Sequence, residues 1–352
     1  MQPAPNRPSV LVCGYYGEHN LGDDALLQVL LQQLPAVITP VVTAWDQQLV
    51  RRLYGVETTD RRRLLGVLAA LGRCRALVLG GGSLLQDSTS FRSLLYYGAL
   101  IVAARSQGKD VILWGQGLGP LRRRRSRILV RWLLSLATAI SWRDPASTQL
   151  ARYWGVRCLE GSDPVWGLAP QPWQGAGGPI VLCWRPASQL DRQSWRPYLE
   201  ALDQLAAASG RPVHWLPFHQ AQDRELLAWL EQQGLLPARL KQASVLLTVA
   251  DPQAAMAEFQ AAGLVIAMRL HGLILAALAG SPCAALSYDP KVAAAADGIG
   301  CPCQDLALPA SATLLQSWQA SLDLPPDPRR LEQLRHSAAI HRELLVPLAN
   351  LA

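Results

Sequence analysis

The stretch ALVLGGGSLLQD, residues 76–87, runs from a strand-like apolar segment into three consecutive glycines and then towards Gln86 and Asp87. Glycines directly after a buried strand leave consecutive backbone amides open to a ligand, which suits a phosphate or a sugar. The same passage recurs along the first half of the chain. Apolar runs at residues 9–14 (SVLVCG), 37–44 (VITPVVTA), 110–115 (DVILWG) and 138–142 (TAISW) each end near glycine or polar residues and precede a helix-like segment. This βαβ rhythm predicts a mostly parallel sheet covered by helices on both faces, with ligand sites at the carboxyl ends of its strands.

A second rhythm begins after PQPWQGAGGP at residues 170–179, a proline- and glycine-rich run without apolar periodicity that reads as a linker. Strand-like runs at 180–184, 213–216, 243–248, 264–268 and 284–287 then alternate with helical patterns such as 195–208 and 221–233. The fold class expected is α/β, with two Rossmann-like domains facing a cleft. The boundaries expected are 1–170 for an amino-terminal domain on the acceptor side, 171–178 for the linker and 179–325 for a carboxyl-terminal domain on the donor side. A terminal helix is expected over 326–352, following the proline cluster at 324–326. The 352 residues, 50% hydrophobic and 17% charged, suffice for two such cores.

The net charge is +7, and arginine runs at 51–52, 61–63 and 122–125 carry much of the excess, so anionic partners are expected. Nucleic acid, an acidic lipid surface and a phosphorylated small molecule all satisfy that balance, and the motifs must decide among them. The segment 1–8 lacks the basic start and long apolar core of a secretion signal, and the seven scattered cysteines lack zinc-site spacing. Reduced thiols, a cytoplasmic location and no metal are therefore expected. The most apolar stretches, 132–140 and 272–287, are too short or interrupted to span a bilayer, which leaves a soluble or peripheral protein.

Several strand ends carry residues that can do chemistry. GYYGEHNLGDDA at 14–25, with Asn20 and Asp23 as candidates, follows the first strand and reads either as a ligand loop or as an ordinary βα turn in which Asp23 caps the next helix. Gly81, Gly82 and Asp87 lie in the glycine loop, and GQGLGP at 115–120 makes a third such loop. Arg143 closes the run at 138–142, where a substrate role competes with pairing to a nearby carboxylate. MRLHG at 268–272 is the strongest local signal. Arg269 and His271 are costly to bury unpaired, and the helix start beside them adds free amides and a positive dipole end, so the turn suits an anion. Lys291, in YDPKV, stands at a neighbouring strand end, and His219, in PFHQAQD, at another.

Taken together, GYYGxxNxGD, GGGSxxQD, WGQGLGPL, SWRDPxS, SDPVW, PFHxxxD, MRLHG and YDPKV resemble, in matching order over residues 10–292, the polysaccharide pyruvyltransferase family, in particular its CsaB type. The resemblance implies a fold like the two-domain GT-B glycosyltransferases and phosphoenolpyruvate as donor, a co-substrate rather than a cofactor. It also implies a lipid-linked or polymeric envelope sugar, N-acetylmannosamine, as acceptor. By it, Arg143, Arg269, Leu270, His271 and Lys291 bind the donor, with His271 as catalytic acid beside Arg143 and Arg269. Asp24 departs from the usual Glu of the family, and His19 stands where smaller residues are usual, which touches the acceptor side.

The chemistry agrees with the residue types. Phosphoenolpyruvate carries a phosphate and a carboxylate, which arginines and a lysine at one helix amino end can hold. Its methylene carbon needs a proton before a sugar hydroxyl can add, and imidazole, with an ordinary pKa of about 6.5, can supply one beside a bound anion. The base that takes the hydroxyl protons stays open among Asp87, Asp23 and His219, with Asp87 preferred. Two rivals remain at this stage: a nucleotide-sugar glycosyltransferase on the same fold, and a non-catalytic polyanion binder using the arginine runs. Nucleic acid is not expected as a partner. The basic segment 122–131, with Ile128, Leu129, Trp132 and Leu133, reads either as an anionic-membrane contact or as a solvated arginine face over a core-packing apolar one.

Overall fold

A computed structural model describes residues 7–88 and 90–351; part of the amino-terminal segment read for a secretion signal therefore lies outside the described residues. The chain runs β1 (Ser9–Tyr16), α1 (Leu21–Gln33), β2 (Thr39–Ala44), α2 (Gln47–Tyr54), β3 (Glu57–Asp60), α3 (Leu64–Arg73) and β4 (Ala76–Leu79). It continues through α4 (Phe91–Ser106), β5 (Asp110–Gln116), α5 (Arg124–Leu136), β6 (Ala139–Trp142), α6 (Pro145–Tyr153) and β7 (Leu159–Glu160). The second series is β8 (Ile180–Cys183), α7 (Arg196–Ser209), β9 (Val213–Trp215), α8 (Gln220–Asp223), α9 (Leu226–Gln232), α10 (Ala238–Ala243) and β10 (Ser244–Leu246). After it come α11 (Pro252–Gln260), β11 (Leu264–Ala267), α12 (Leu270–Leu278), β12 (Cys283–Ser287), α13 (Pro290–Ile299), β13 (Cys303–Asp305), α14 (Leu314–Ser321), α15 (Pro328–Ala338) and α16 (Ile340–Glu343).

These elements form two compact units. The first takes residues 7–18, Asp23–Gly167 and the chain from Arg335 onward; the second takes His19–Gly22 and Leu168–Leu334. Unit 1 holds a seven-stranded sheet of order β3-β2-β1-β4-β5-β6-β7, and unit 2 a six-stranded sheet of order β10-β9-β8-β11-β12-β13. Every pairing is parallel. The two-sheet α/β architecture expected from the apolar runs is thus the one observed. In each sheet the strand order reverses next to its first strand, between β1 and β4 and between β8 and β11. Loops leaving opposite ways there open a crevice at the carboxyl ends.

Local chemistry explains the elements. β4, β8, β11 and β12 are buried at every residue, as strands covered on both faces must be. The helices α6, α11 and α13 share one start signal, an aspartate whose side chain accepts a first-turn amide followed by proline at the first position: Asp144-Pro145, Asp251-Pro252 and Asp289-Pro290. The strands that periodicity overlooked, β3, β7 and β13, are short and polar or mixed (ETTD, LE, CQD) and close sheet edges, where only one side is paired. The proline- and glycine-rich run at 170–179 lies along unit 2. Gln171 donates its amide to Leu278 O at 2.8 Å, Gln174 to Gln260 O at 3.1 Å, and Trp173 Nε1 to Ala262 O at 2.8 Å.

Two expected helices resolve into pieces. The run at 221–233 divides into α8 and α9, because α8 ends on Asp223, whose carboxylate turns inward to accept the amides of Phe218 and His219. The terminal helix expected over 326–352 is α15, α16 and a 3₁₀ turn at Val346–Leu351, where Pro347 has no amide with which to continue an α-ladder. α16 carries His341, which is fully buried. Its Nε2 donates to Ser162 O at 2.7 Å, while Nδ1 accepts from Ser141 Oγ at 2.8 Å, and that hydroxyl in turn accepts the Gly115 amide at 2.9 Å.

Burial holds the His341 pKa below its ordinary 6.5. The unfolded chain therefore takes up a proton here before the folded one does. This stabilising contribution is complete above pH 6.5 and is lost as pH falls below it. Thermal melts from pH 7.5 down to 5.5 are expected to show a falling Tm, with a shallower fall in His341→Gln. An unchanged slope would mean that His341 does not titrate on unfolding.

Candidate functional site

In unit 2 the turn from β11 into α12 carries the charge. Arg269 occupies the N-cap position with extended backbone and gives α12 no side-chain cap, so the first amides of that helix remain directed at whatever lies beyond them. Its guanidinium grips Asp223: Nε donates to Oδ2 at 3.0 Å, Nη2 donates to Oδ1, and Nη2 also reaches Gln222 Oε1 at 3.0 Å. The Asp223 side chain is 0% exposed and that of Arg269 13%. A forked pair of this kind orients the arginine and lets the rest of its donor fork face a ligand.

Four residues, His19 and Asn20 at the end of the loop after β1 and Leu21 and Gly22 at the start of α1, complete this end of unit 2. Leu21 N donates to Phe218 O at 3.0 Å, Gln220 N donates to His19 O at 3.1 Å, and Asn20 forms an isolated antiparallel bridge with His219. His19 adopts the left-handed backbone at φ 54°, a conformation that costs a non-glycine residue roughly 1–2 kcal/mol. Gly22, whose amide is held by Asn20 Oδ1 at 3.1 Å, lies under the imidazole of His271; a Cβ there would stand 2.2 Å from Nδ1. The imidazole thus rests on bare backbone at the first turn of α12. Leu270 sits beside it, half-buried. Lys291 starts α13 at the carboxyl end of β12, the strand paired with β11, and its amide is capped by Asp289 at 3.0 Å.

His219 is buried, and its Nδ1 has no hydrogen-bond partner among the described residues. Burial first, and the charge of Arg269 second, hold its pKa below 6.5, so its imidazole is neutral at pH 7 and able to accept a proton.

In unit 1 the reversal point of the sheet gathers the glycine loops. Gly82, at φ 112°, accepts the Gly117 amide at 2.7 Å, and a Cβ on it would stand 3.7 Å from Asp23 Oδ1. Gly81 packs on Leu26, 2.6 Å from where its Cβ would be. Gln116, fully buried, knits this loop by donating to Leu79 O at 3.3 Å and to Gly80 O, and by accepting the Leu84 amide at 3.4 Å. Its carbonyl accepts the Arg143 amide at 3.0 Å.

Arg143 Nη1 meets Asp163 Oδ2 at 2.7 Å with both side chains 8% exposed, so the carboxylate partner weighed for it from sequence is present. Asp87 accepts the amides of Arg122 at 2.8 Å and Arg123 at 2.9 Å. Burial acts to raise its pKa, but these bonds outweigh it and the carboxyl lies below its ordinary range, which suits a cap better than a base.

The structure thus brings Asn20, His219, Arg269, Leu270 and His271 to one end of unit 2, with Lys291 at the adjacent strand end. Asp23, Gly81, Gly82, Asp87 and Arg143 belong to unit 1. The residues that sequence reasoning left out of the site are Asp163, Asp223, Gln116 and Gly22. All four were in view within SDPVW, PFHxxxD, WGQGLGPL and NxGD, where the signal was a polar or glycine residue at a fixed place beside a charged one.

The family model described as polysaccharide pyruvyl transferase matches residues 20–290. No curated protein matches the chain in sequence. Among solved structures, a UDP-GlcNAc 2-epimerase from Methanocaldococcus jannaschii superimposes with a TM-score of 0.65 at 10% identity, covering 98% of this chain and 99% of that one. A putative UDP-N-acetylglucosamine 2-epimerase from Listeria monocytogenes gives 0.64 at 11% identity over 98% and 96%. The glycotransferase of kitacinnamycin gives 0.57 at 14% identity over 99% of both chains. At such identities the likeness is one of fold, the paired parallel-sheet architecture of GT-B enzymes and these epimerases.

Removing Asp223 strands a buried guanidinium and two amides. Asp223→Ala is expected to cost about 3–5 kcal/mol in chemical denaturation. A loss below about 1 kcal/mol would mean that the pair behaves as an exposed one.

Proposed function

The chain belongs to the polysaccharide pyruvyl transferase family, and on that premise we propose that it transfers the three-carbon unit of phosphoenolpyruvate to a sugar of an envelope polysaccharide precursor, releasing phosphate. The observation that carries this reading is the meeting of Gly22 and His271 beside the clamped Arg269: two motifs from distant parts of the chain put an imidazole and a guanidinium at one helix start. Arg269, the amides of α12 and Lys291 supply the charge for phosphate and carboxylate. Arg143, oriented by Asp163, is a further donor-binding position taken from the family resemblance. Leu270, beside His271, is another donor-binding position taken from the same resemblance.

His271 donates a proton to the methylene carbon, which becomes methyl, and positive charge builds on the neighbouring carbon. A sugar hydroxyl attacks that carbon and the C–O bond to phosphate breaks. A second hydroxyl of the same sugar then attacks the same carbon and closes the ketal. Of the two hydroxyl protons, one restores His271 and the other passes through an accepting base to phosphate, so no proton is gained or lost overall and the base ends neutral. We assign the accepting base to His219 rather than Asp87: its imidazole is neutral and has an unpartnered nitrogen, whereas both carboxylate oxygens of Asp87 hold amides. The acceptor of the CsaB type, an N-acetylmannosamine unit on a lipid-linked precursor, is the first to try.

The test follows phosphate release and acceptor mass with phosphoenolpyruvate and a panel of lipid-linked amino sugars. Turnover is expected with one of them, falling about 10²–10⁴-fold in His271→Asn. Gly22→Ala, which pushes the imidazole aside, is expected to lower kcat more than it raises KM for phosphoenolpyruvate. Undiminished turnover in His271→Asn, or turnover of a nucleotide sugar with nucleotide release instead, would overturn the reading.

A further inference from the structure

The helices α3, α4 and α5 cover one face of the unit 1 sheet in a single layer, α3 against α4 and α4 against α5, over a shared core that includes Leu71, Leu94, Ile101 and Leu133. Their outer surface is unusual in two respects. It is apolar where a solvated helix layer is polar: Leu65 on α3 is 82% exposed, Ile128 and Trp132 on α5 are 63% and 50% exposed, and Leu95 and Val102 on α4 are exposed as well. The α4 pair, with exposed Ala99 between them, and the α5 pair recur at helical spacing, so each forms a stripe along its helix.

The second peculiarity is charge. None of the three helices contains an acidic residue. From Leu64 to Leu136 the chain has ten arginines and one lysine against two acids, Asp87 and Asp110, of which Asp87 is buried and spent on amides. Arg124, Arg125, Arg127 and Arg131 are all exposed around Ile128 and Trp132, and Arg125 lies over the Phe91 ring of α4 at 4.3 Å. Beside the same two apolar side chains, a groove of about 670 Å³ is lined by Arg131 and Arg157.

We propose that this three-helix face docks on an anionic lipid bilayer, with Ile128, Trp132, Leu95 and Leu65 entering the interface and the arginines meeting lipid phosphates. Aliphatic and indole side chains ringed by arginine suit that boundary, where apolar groups leave water while guanidinium groups stay at the headgroups. A second copy of the chain would bring the same unbalanced arginines face to face, which opposes self-association. Nucleic acid would leave the exposed leucine, isoleucine and valine without a partner. No helix among the described residues is long and apolar enough to cross a membrane, so attachment of this kind is peripheral. The membrane alternative weighed for segment 122–131 thereby gains a geometric basis: of the four apolar residues named with it, Leu133 is buried in the core and Leu129 packs against it, whereas Ile128 and Trp132 turn outward.

The test is co-sedimentation of the full chain with vesicles of phosphatidylcholine alone and with added phosphatidylglycerol, at low and high salt. Binding is expected only with phosphatidylglycerol, weakened by salt. It should weaken at least about tenfold in Arg124→Glu/Arg125→Glu and in Ile128→Ser/Trp132→Ser, each checked for an unchanged thermal melt. If either double variant melts early, Leu65→Ser, on a separate helix, replaces it. No binding at low salt, binding indifferent to phosphatidylglycerol and to charge reversal, or a dimer in vesicle-free solution that the same variants dissolve would overturn the proposal.

Discussion

The carboxylate of Asp223 is fully buried and must be satisfied from within the protein, and that requirement organises one end of unit 2. Its donors are the amides of Phe218 and His219 and two nitrogens of Arg269. The first two hold the turn after β9 in the shape against which His19–Gly22 lays its backbone. The other two fix the residue that opens α12. Gly22 then comes beneath His271 because both neighbours of that contact are anchored to the same carboxylate. The pair's value lies in orientation, since a buried ion pair gains little over a well-packed apolar one.

Unit 1 solves a similar problem at the carboxyl end of β6, two strands from its own reversal point. Asp163 holds Arg143 with one oxygen and the Val165 amide with the other, while Gln116 ties the glycine loop to the strand beside it. In both units an arginine at the carboxyl end of a strand is buried against an aspartate from a different loop. Doubly wound sheets leave their opening at the place where strand order reverses, and charged groups drawn to that opening need partners that reach in from its sides. Among the motifs, SWRDPxS and SDPVW supply one such pair, Arg143 with Asp163, and PFHxxxD and MRLHG the other, Arg269 with Asp223.

A transferase acting on a lipid-linked acceptor has its two substrates in different phases, a small anion in water and a sugar tethered to a bilayer. On the proposed reading, the turn of α12 would meet the first of those demands and the basic, apolar outer face of α3, α4 and α5 the second. Backbone amides and a clamped arginine at a helix start suit a compact anion, whereas a broad arginine field with exposed aliphatic groups suits a diffuse surface.

Sequence alone determined the repeating strands and helices, the two parallel sheets, the Asp-Pro helix starts and the strand ends where charged residues collect. Those features follow from local periodicity and from the backbone limits of glycine and proline, which neighbours in the chain set. The short edge strands β3, β7 and β13 escaped because their polar and mixed residues carry no period, and their pairing is supplied by the strand alongside. Only the tertiary structure decided that Asp223 and Asp163 hold the arginines, that Asp87 caps the arginine loop, that His219 is left with an unpartnered nitrogen, and that the carboxyl-terminal segment breaks up to bury His341 in unit 1. Each of these depends on which groups lose their water together, and burial is a property of the assembled fold rather than of any stretch of sequence.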